Sequence, residues 1–240
     1  MRILLTICAR GGSKGIPRKN LKMINGKSLI AYTIDLAKAV EEIYNAKIAI
    51  STDDIDIKNL AESLGVITKY NRPQSLSTDQ AGKIDTIRDL LKFEEELIQC
   101  RYDYILDLDV TSPLRNISDI QDSFELILNK KEAETLFSVN PSNRNPYFNM
   151  VEENKNGYYS LVKTGPNGSL MTRQSAPKVF DLNASFYWYR RTFFDHDIKS
   201  PITHKSLIYE MPHLCFDLDH QIDFDFMEYL IVNKKLDFSL

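Results

Sequence analysis

Apolar runs alternate with helical segments along most of the chain, and this alternation restricts the possible folds more than any other feature of the sequence. The first run, "ILLTICA" at 3–9, is continuously apolar and rich in strand formers, which is typical of a strand buried on both faces of a sheet. A helical pattern with Ser28 as its predicted N-cap follows, and "AKIAIST" at 46–52 is a second buried strand. Together these segments predict a βαβ unit.

The same alternation continues through the rest of the chain. Gly65 marks the end of one predicted helix, since glycine is common just beyond a helix C-terminus. Strands separated by helices of this length predict an α/β fold with a doubly wound, mostly parallel sheet of the Rossmann-like kind. Further strands are predicted at 66–70, 102–110, 134–139, 184–190 and 206–211, and further helices at 56–65, 83–97, 117–128 and 221–233.

After Val139 the alternation gives way to turn signals, among them Asn-Pro pairs and Asn156-Gly157. The residues that flank Asn156-Gly157 predict a β-hairpin. We interpret 141–181 as an insertion in a single domain that spans 1–240. Because exposed aromatic residues of such a hairpin need a surface to cover them, the insertion is expected to be a dimerisation arm of a homodimer.

Composition and charge exclude several classes of partner. The 30 Lys and Arg residues nearly balance the 33 Asp and Glu residues, so overall charge indicates neither nucleic-acid binding nor attraction to an anionic membrane. No stretch approaches the roughly 20 apolar residues of a membrane span, and the first apolar run is too short for a signal peptide. The cysteines, Cys8, Cys100 and Cys215, are widely scattered, which favours a reducing compartment. We therefore expect a cytoplasmic protein.

The segment "ARGGSKGIPRKN" at 9–20 directly follows the first strand and combines three glycines with four basic side chains. Ligands of open α/β sheets bind at the carboxyl ends of the strands, where this loop lies. Glycines let backbone N–H groups approach an anion closely, and the basic side chains add positive charge, so the loop is suited to a polyphosphate. It is neither a Walker A loop nor a G-x-G-x-x-G motif. The plain alternative is an exposed loop with solvated lysines.

Two pairs of aspartates are candidate metal ligands. Asp217 and Asp219 stand two residues apart, so both carboxylates face one side of an extended chain. Mg²⁺ commonly takes one or two protein carboxylates and completes its octahedron with water and phosphate oxygens. Asp107 and Asp109 have the same spacing at the end of a buried strand and compete for this role. Aspartates that simply face solvent are the alternative for the later pair.

The glycine-rich segment resembles the N-terminal signature of acylneuraminate (sialic-acid type) cytidylyltransferases, Ala-Arg-x-x-Ser-Lys-Gly-x-Pro-x-Lys-Asn, and matches all eight fixed positions. On these motifs the chain is identified as a member of the CMP-nonulosonic acid synthetase family. Further segments similar to family motifs are "RPQSLSTD" at 72–79, "TSPLR" at 111–115, "TRQSAPKVFDLNASFY" at 172–187 and "FDLDHQID" at 216–223.

The resemblance implies a nucleotidyltransferase that transfers CMP from CTP to a nine-carbon 2-keto-3-deoxy sugar acid and releases pyrophosphate. It implies Mg²⁺, or Mn²⁺, held by Asp217 and Asp219. The implied catalytic residues are Arg10, Lys14, Lys19 and Asp217. The implied CTP-binding residues are Ala9, Arg10, Gly11, Ser13, Lys14, Lys19, Asn20, Arg72, Ser77, Asp79 and Ser112. The implied sugar-acid residues are Asp109, Arg115, Arg173 and Tyr187.

Three departures from the family pattern concern the sugar acid. Phe148 stands where several sialic-acid enzymes have Lys, the run Asn183-Ala184-Ser185 replaces Asn-Gly-Ala, and Asp109 replaces Gln. The expected acceptor is therefore a related acid, such as legionaminic or pseudaminic acid, rather than N-acetylneuraminic acid. Two other functions stay open at this point. One is a metal-dependent nucleotide-sugar glycosyltransferase that uses Asp107 and Asp109, and the other is a CTP-binding relative without catalytic activity.

Overall fold

The computed structural model describes residues 1–12, 15–165, 168 and 173–240, apart from the side chain of Arg173. Its strands are β1 (Ile3–Cys8), β2 (Met23–Ile24), β3 (Lys27–Ser28), β4 (Lys47–Ser51), β5 (Tyr104–Leu108), β6 (Thr135–Pro141), β7 (Val151–Glu153), β8 (Tyr159–Leu161), β9 (Phe180–Arg190) and β10 (Ser206–Glu210). Its α-helices are α1 (Leu29–Tyr44), α2 (Ile55–Ser63), α3 (Lys83–Ile98), α4 (Ile117–Asn129) and α5 (Gln221–Val232).

Six strands form the central sheet in the order β10, β6, β9, β5, β1, β4. β1 lies between β4 and β5 and is parallel to both, whereas β9 is antiparallel to β5. The predicted α/β class with its Rossmann-like sheet is confirmed. Because β1, β4 and β5 run in the same direction, the loops that follow them meet at one edge of the sheet.

One predicted strand is wrong, because residues 66–70 form no strand. Side-chain hydrogen bonds hold this segment instead of a backbone ladder. The Thr68 hydroxyl donates to the Ile50 carbonyl at 3.2 Å, and the Tyr70 hydroxyl donates to Asp89 at 2.5 Å. Val66, Thr68 and Tyr70 are buried whereas Ile67 is exposed, and sequence periodicity alone does not distinguish this alternation from a strand.

Carboxylate and amide side chains mark the starts of three helices. Asp54 caps α2 by accepting from the backbone N–H groups of its first turn. Asn116 and Asp119 form a capping box at α4. At α5, the Asp223 carboxylate accepts from the His220 N–H at 2.7 Å, so His220 belongs to the cap of this helix. Local sequence therefore sets where these helices begin.

The core of the sheet is built from apolar strands and aromatic stacking. Residues Ile3–Ile7 of β1 are buried along their whole length, as expected for a strand covered on both faces. Phe124 of α4 stacks on Trp188 of β9 with ring centroids 4.4 Å apart. The indole N–H of Trp188 donates to the Ser123 hydroxyl at 3.0 Å, so this buried aromatic residue keeps a partner for its polar group.

The chain divides into two compact units. The first comprises Met1–Ser138 and Asn183–Leu240, and the second comprises Val139–Leu182. The second unit contains the antiparallel pair of β7 and β8, which is the hairpin predicted around Asn156-Gly157. None of the helices in the described ranges combines the length and apolar character that spanning a bilayer requires.

Candidate active site

The candidate site lies in the first unit, at the edge of the sheet where β1, β4 and β5 end. β1 leads into residues 9–20, here called the glycine-rich loop, and β5 leads into residues 109–115. The Ala9 N–H donates to the Ser51 carbonyl at 2.9 Å, which ties the glycine-rich loop to the end of β4. This is the edge at which α/β sheets bind their ligands.

Short hydrogen bonds fix the start of the glycine-rich loop. The buried Asn20 amide donates to the Arg10 carbonyl at 2.9 Å, and the Gly11 N–H donates to the Asp53 carboxylate at 2.9 Å. A Cβ at Gly11 would lie 2.6 Å from the Asp54 carboxylate, so the close approach of the two loops requires glycine there. Two predicted phosphate ligands, Ser13 and Lys14, lie outside the described residues.

The Arg10 guanidinium contacts the Asp79 carboxylate at 2.6 Å. Both side chains are partly exposed, at 33% and 44%. Together with Arg72 and Lys83 they line a cavity of about 210 Å³. The structure thus brings three of the predicted nucleotide-binding residues to one small cavity, and it adds Lys83, which the sequence did not single out.

The loop at 72–79 is organised by its own hydrogen bonds. The Arg72 guanidinium donates to the Leu76 carbonyl and, at 3.4 Å, to the Thr86 hydroxyl. The Ser77 hydroxyl donates to the Pro73 carbonyl at 3.2 Å. Arg72 and Ser77 were both predicted to bind CTP. In this structure both hold the 72–79 loop, and Arg72 also lines the cavity.

Residues 215–219, here called the acidic segment, contact the glycine-rich loop directly. The Lys19 ammonium donates to the Leu218 carbonyl, and the Leu218 N–H donates to the Thr111 carbonyl at 2.9 Å. A Cβ at Gly15 would lie only 2.2 Å from the Asp219 carbonyl oxygen. The predicted phosphate side and the predicted metal side of the site are therefore neighbours, and a glycine at position 15 permits their approach.

Asp217 and Asp219 were predicted to face one side of an extended chain, and the acidic segment forms no strand in the described structure. Backbone hydrogen bonds from Leu218 hold it instead. Asp217 is half-buried, and its Oδ1 is enclosed without a hydrogen-bond partner among the described residues. Burial raises the pKa of Asp217, the nearby Thr111 hydroxyl opposes this rise, and the nearby carboxylates of Asp109 and Asp219 add to it.

This environment fits a divalent cation. An enclosed, unpartnered carboxylate oxygen is costly, and a bound cation would satisfy it and relieve the repulsion among the carboxylates. Asp219 is exposed, and its carboxylate is close enough to Asp217 to raise the pKa of that side chain. Among the described residues, no three His, Cys, Asp or Glu side chains converge as a preformed metal cage.

Lys83, the first residue of α3, is the site residue that sequence reasoning missed. Its ammonium contacts Asp107 at 2.7 Å and Asp109 at 2.6 Å. Burial disfavours the charged ammonium, but the two carboxylates outweigh this effect and raise the pKa of Lys83 well above its usual range. Burial would also raise the pKa of Asp109, but Lys83 and hydrogen bonds from Thr111 lower it to about 2. A single lysine at a helix start carries no sequence pattern that predicts these contacts.

The contacts of Lys83 also indicate which of the two aspartate pairs is the better candidate for a metal site. Asp107 is 0% exposed, accepts a 2.8 Å hydrogen bond from the Thr6 hydroxyl, and is neutralised by Lys83. A carboxylate in this position is already paired and enclosed, so it does not favour a metal site at Asp107 and Asp109. The glycosyltransferase alternative, which depends on that site, loses its structural basis.

Two residues predicted to contact substrate lie inside the protein. Ser112 is fully buried and donates to the Phe216 carbonyl at 3.1 Å. Arg115 is 2% exposed, and its guanidinium donates to the carbonyls of Ser112 and Ser185 at 2.8 and 2.6 Å. Burial lowers the pKa of Arg115 to about 10. In this structure both residues hold the 109–115 loop in place through hydrogen bonds within the protein.

Of the two further residues predicted to bind the sugar acid, the structure describes the side chain of Tyr187 but not that of Arg173. The ring of Tyr187, which is nearly buried, lies 5.0 Å from the Lys83 ammonium. Arg173 begins a short 3-10 helix, Arg173–Ser175, and its side chain lies outside the described structure. Ala184, where the family pattern has glycine, has a φ of 58°, a left-handed conformation that glycine adopts more easily than alanine.

Comparison with known proteins identifies the family. The sequence profile described as "Cytidylyltransferase" matches residues 4–233. The chain belongs to the cytidylyltransferase family. This result supports the activity implied by the glycine-rich loop and by the adjoining acidic segment.

Two curated relatives match this cytidylyltransferase over nearly its whole length. Post-translational flagellin modification protein B of Campylobacter coli is 38% identical over 98% of this chain and 97% of its own. CMP-N,N'-diacetyllegionaminic acid synthase of Campylobacter jejuni is 36% identical with the same coverage. A pseudaminic acid cytidylyltransferase of Campylobacter jejuni is 32% identical over 62% of this chain and 64% of its own.

A solved structure shares the fold. CMP:2-keto-3-deoxy-manno-octonic acid synthetase, whose structure was determined in complex with CTP, aligns with a TM-score of 0.69 over 98% of this chain and 100% of that chain. The sequence identity is 16%, so this likeness concerns the fold alone.

Proposed function

We propose that this cytidylyltransferase transfers CMP from CTP to a nine-carbon 2-keto-3-deoxy sugar acid, with N,N'-diacetyllegionaminic acid as the preferred acceptor. The observation that carries the proposal is the match to the Campylobacter jejuni synthase over 98% of this chain, which includes both the glycine-rich loop and the acidic segment. The departures at Asp109 and Ala184 support an acceptor other than N-acetylneuraminic acid.

The proposed reaction is an in-line substitution at phosphorus. A hydroxyl oxygen of the sugar acid forms a bond to the α-phosphorus of CTP, and the bond from that phosphorus to the bridging oxygen breaks. The electron pair leaves with pyrophosphate, and the hydroxyl proton is released to solvent. A nucleoside triphosphate carries about four negative charges, so positioning and charge stabilisation are the main tasks of the protein.

Residues of the glycine-rich loop are proposed to bind the phosphates. Arg10 and Lys19 supply positive charge, and backbone N–H groups of the loop supply further donors. In the structure Arg10 contacts Asp79, and the Gly11 N–H contacts Asp53. We infer that phosphate oxygens replace these carboxylates when CTP binds. Ser13 and Lys14 remain predicted ligands.

Asp217 and Asp219 are the residues proposed to hold Mg²⁺ or Mn²⁺. Such an ion, when bound, would supply charge stabilisation to the phosphate oxygens. The Oδ1 of Asp217 is enclosed and has no hydrogen-bond partner in the part of the chain that the structure describes, which supports this assignment. The carboxylates of the acidic segment would otherwise bring only negative charge toward a polyanionic substrate.

We further propose that the protein is a cytoplasmic homodimer. The second unit exposes several large apolar side chains on and near its hairpin, which a second copy of the chain would cover. These side chains are Phe148, Met150, Val151, Tyr158 and Tyr159. Sedimentation velocity should show a dimer, and Tyr158→Ser together with Tyr159→Ser should shift it toward monomer; a monomeric parent protein would contradict the proposal.

Turnover with defined substrates tests the function directly. The purified protein is assayed for pyrophosphate release with CTP, ATP, GTP or UTP and with N,N'-diacetyllegionaminic, pseudaminic or N-acetylneuraminic acid. We expect release with CTP alone and the highest kcat/KM with N,N'-diacetyllegionaminic acid. Higher kcat/KM with another of the three acids would correct the acceptor, and no release with any of them would overturn the proposed function.

A further inference from the structure

Lys83 is joined to the acidic segment by a short series of contacts. Its ammonium contacts one oxygen of Asp109, Oδ2, at 2.6 Å. The other oxygen, Oδ1, accepts hydrogen bonds from the N–H and the hydroxyl of Thr111, each at 2.9 Å. The Thr111 carbonyl in turn accepts from the Leu218 N–H at 2.9 Å. Leu218 is the residue between Asp217 and Asp219.

These contacts fix the Asp109 carboxylate on both sides. Lys83 holds one oxygen and Thr111 binds the other, while the Asp109 N–H donates to the Ser185 carbonyl at 3.0 Å. A charged carboxylate with both oxygens engaged in this way has little freedom to rotate. The orientation of Thr111, and therefore of the backbone acceptor for Leu218, depends on it.

Removal of the Lys83 charge would leave the carboxylates of Asp107 and Asp109 to repel each other. Asp107 is fully buried and Asp109 lies two residues away at the same strand end, and Lys83 forms ion pairs with both, while the Arg115 guanidinium interacts with them without an ion-pair contact. Unpaired buried carboxylates either take up a proton or move toward water. Either change alters the hydrogen bonds that Asp109 accepts from Thr111.

We propose that Lys83 is a positioning residue that holds the acidic segment in register through Asp109 and Thr111. Lys83 acts on Leu218 and its flanking aspartates without touching them. The proposal rests on the proposed function only in taking the acidic segment as part of the active site, and its structural core can be tested without turnover.

Hydrogen exchange at the Leu218 amide tests the connection. Lys83→Met removes the charge and keeps an unbranched side chain, Lys83→Arg keeps the charge, and Lys92→Met changes an exposed lysine of the same helix. We expect the Leu218 amide to exchange roughly tenfold faster in Lys83→Met, because its acceptor is no longer fixed. Lys92→Met should match the parent protein, and Lys83→Arg should restore most of the protection. Unchanged exchange at Leu218 in folded Lys83→Met would overturn the proposal.

A second variant keeps the proposal testable if Lys83→Met does not fold. Asp109→Asn leaves Lys83 paired with Asp107 alone, so the buried charges stay balanced. It removes the carboxylate that connects Lys83 to Thr111. Faster exchange at Leu218 is expected again, and parent-like exchange in this variant would also overturn the proposal.

Kinetics separate a positioning role from direct contact with the nucleotide. In Lys83→Met we expect kcat to fall at least about tenfold while KM for CTP changes less than about threefold, the result expected when groups used in the transition state are displaced. A raised KM for CTP with unchanged kcat would mean that Lys83 binds the nucleotide, which contradicts the proposal. If no sugar acid is turned over by the parent protein, the proposed function fails, and hydrogen exchange still decides the role of Lys83.

Discussion

The glycine-rich loop and the acidic segment face the same site but are held in opposite ways. In the glycine-rich loop the two donors nearest the cavity are held by side-chain carboxylates, Asp79 on Arg10 and Asp53 on the Gly11 N–H, at positions open to solvent. The acidic segment is held by its main chain, through the N–H and carbonyl of the fully buried Leu218.

Because of this difference, the glycine-rich loop can exchange its hydrogen-bond partners when substrate binds, whereas the acidic segment is preorganised. Exposed ion pairs contribute only about 0 to 1 kcal/mol, so a phosphate can replace Asp79 on Arg10 at little cost. Buried backbone contacts do not reorganise easily, so Asp217 is in position before substrate arrives, which is the arrangement that favours charge stabilisation in a transition state. Three changes test this comparison.

The largest effect is expected for Asp217→Asn in the acidic segment. The substitution keeps the shape of the side chain and removes its charge, so the proposed metal ion loses a ligand. We expect kcat to fall about a thousandfold, equivalent to roughly 4 kcal/mol, and the Mg²⁺ titration of turnover to shift to higher concentration. Asp225→Asn, an exposed residue of α5, is the matched control. If Asp217→Asn shows the same Mg²⁺ titration as the parent protein, the assignment of the metal site to the acidic segment is wrong.

A smaller effect is expected for Arg10→Ala in the glycine-rich loop. Loss of one positioned donor costs about 3 kcal/mol in the transition state, roughly a hundredfold in kcat. The free energy of unfolding should change by less than about 1 kcal/mol, because the Arg10–Asp79 pair is exposed. Arg18→Ala is the control, since Arg18 contacts Asp56 at 2.6 Å and is not among the residues that line the cavity. Full turnover in Arg10→Ala would refute the phosphate assignment.

The smallest effect is expected where the two regions touch. In Gly15→Ala the new methyl group would lie 2.2 Å from the Asp219 carbonyl, and the backbone must shift to accommodate it. Overpacking of this kind lowers the free energy of unfolding by about 1 to 3 kcal/mol, which urea denaturation measures. Gly12→Ala is the control, because no described atom lies within 4 Å of a Cβ at Gly12. Equal stability of the two variants would show that the contact between the regions is loose.

The local sequence predicted most elements because short-range physics sets them. The buried strand Ile3–Cys8, the end of α2 before Gly65 and the start of α5 after His220 all follow from apolar patterning, capping and turn chemistry. The wrong strand prediction at 66–70 also comes from this reliance on short-range patterns. A short apolar run that packs through its side chains has the same composition as a strand, and only its hydrogen-bond partners distinguish the two.

The candidate site was predicted in part. The glycine-rich loop and the acidic segment were found because each concentrates one type of charge or flexibility within a few adjacent residues. The burial of Arg115 and Ser112 was not predicted, because an arginine and a serine in a loop motif are as compatible with ligand contact as with internal hydrogen bonds. Burial is a property of the whole packed structure.

The sequence by itself determined the alternation of strands and helices, the cationic loop after β1 and the family to which the chain belongs, because all three depend on neighbouring residues. Tertiary structure alone decided that Lys83 neutralises Asp107 and Asp109, and that Gly15 lies against Asp219. These contacts join residues far apart along the chain. Their energies arise from distance and burial, which exist only once the sheet has brought the loops together.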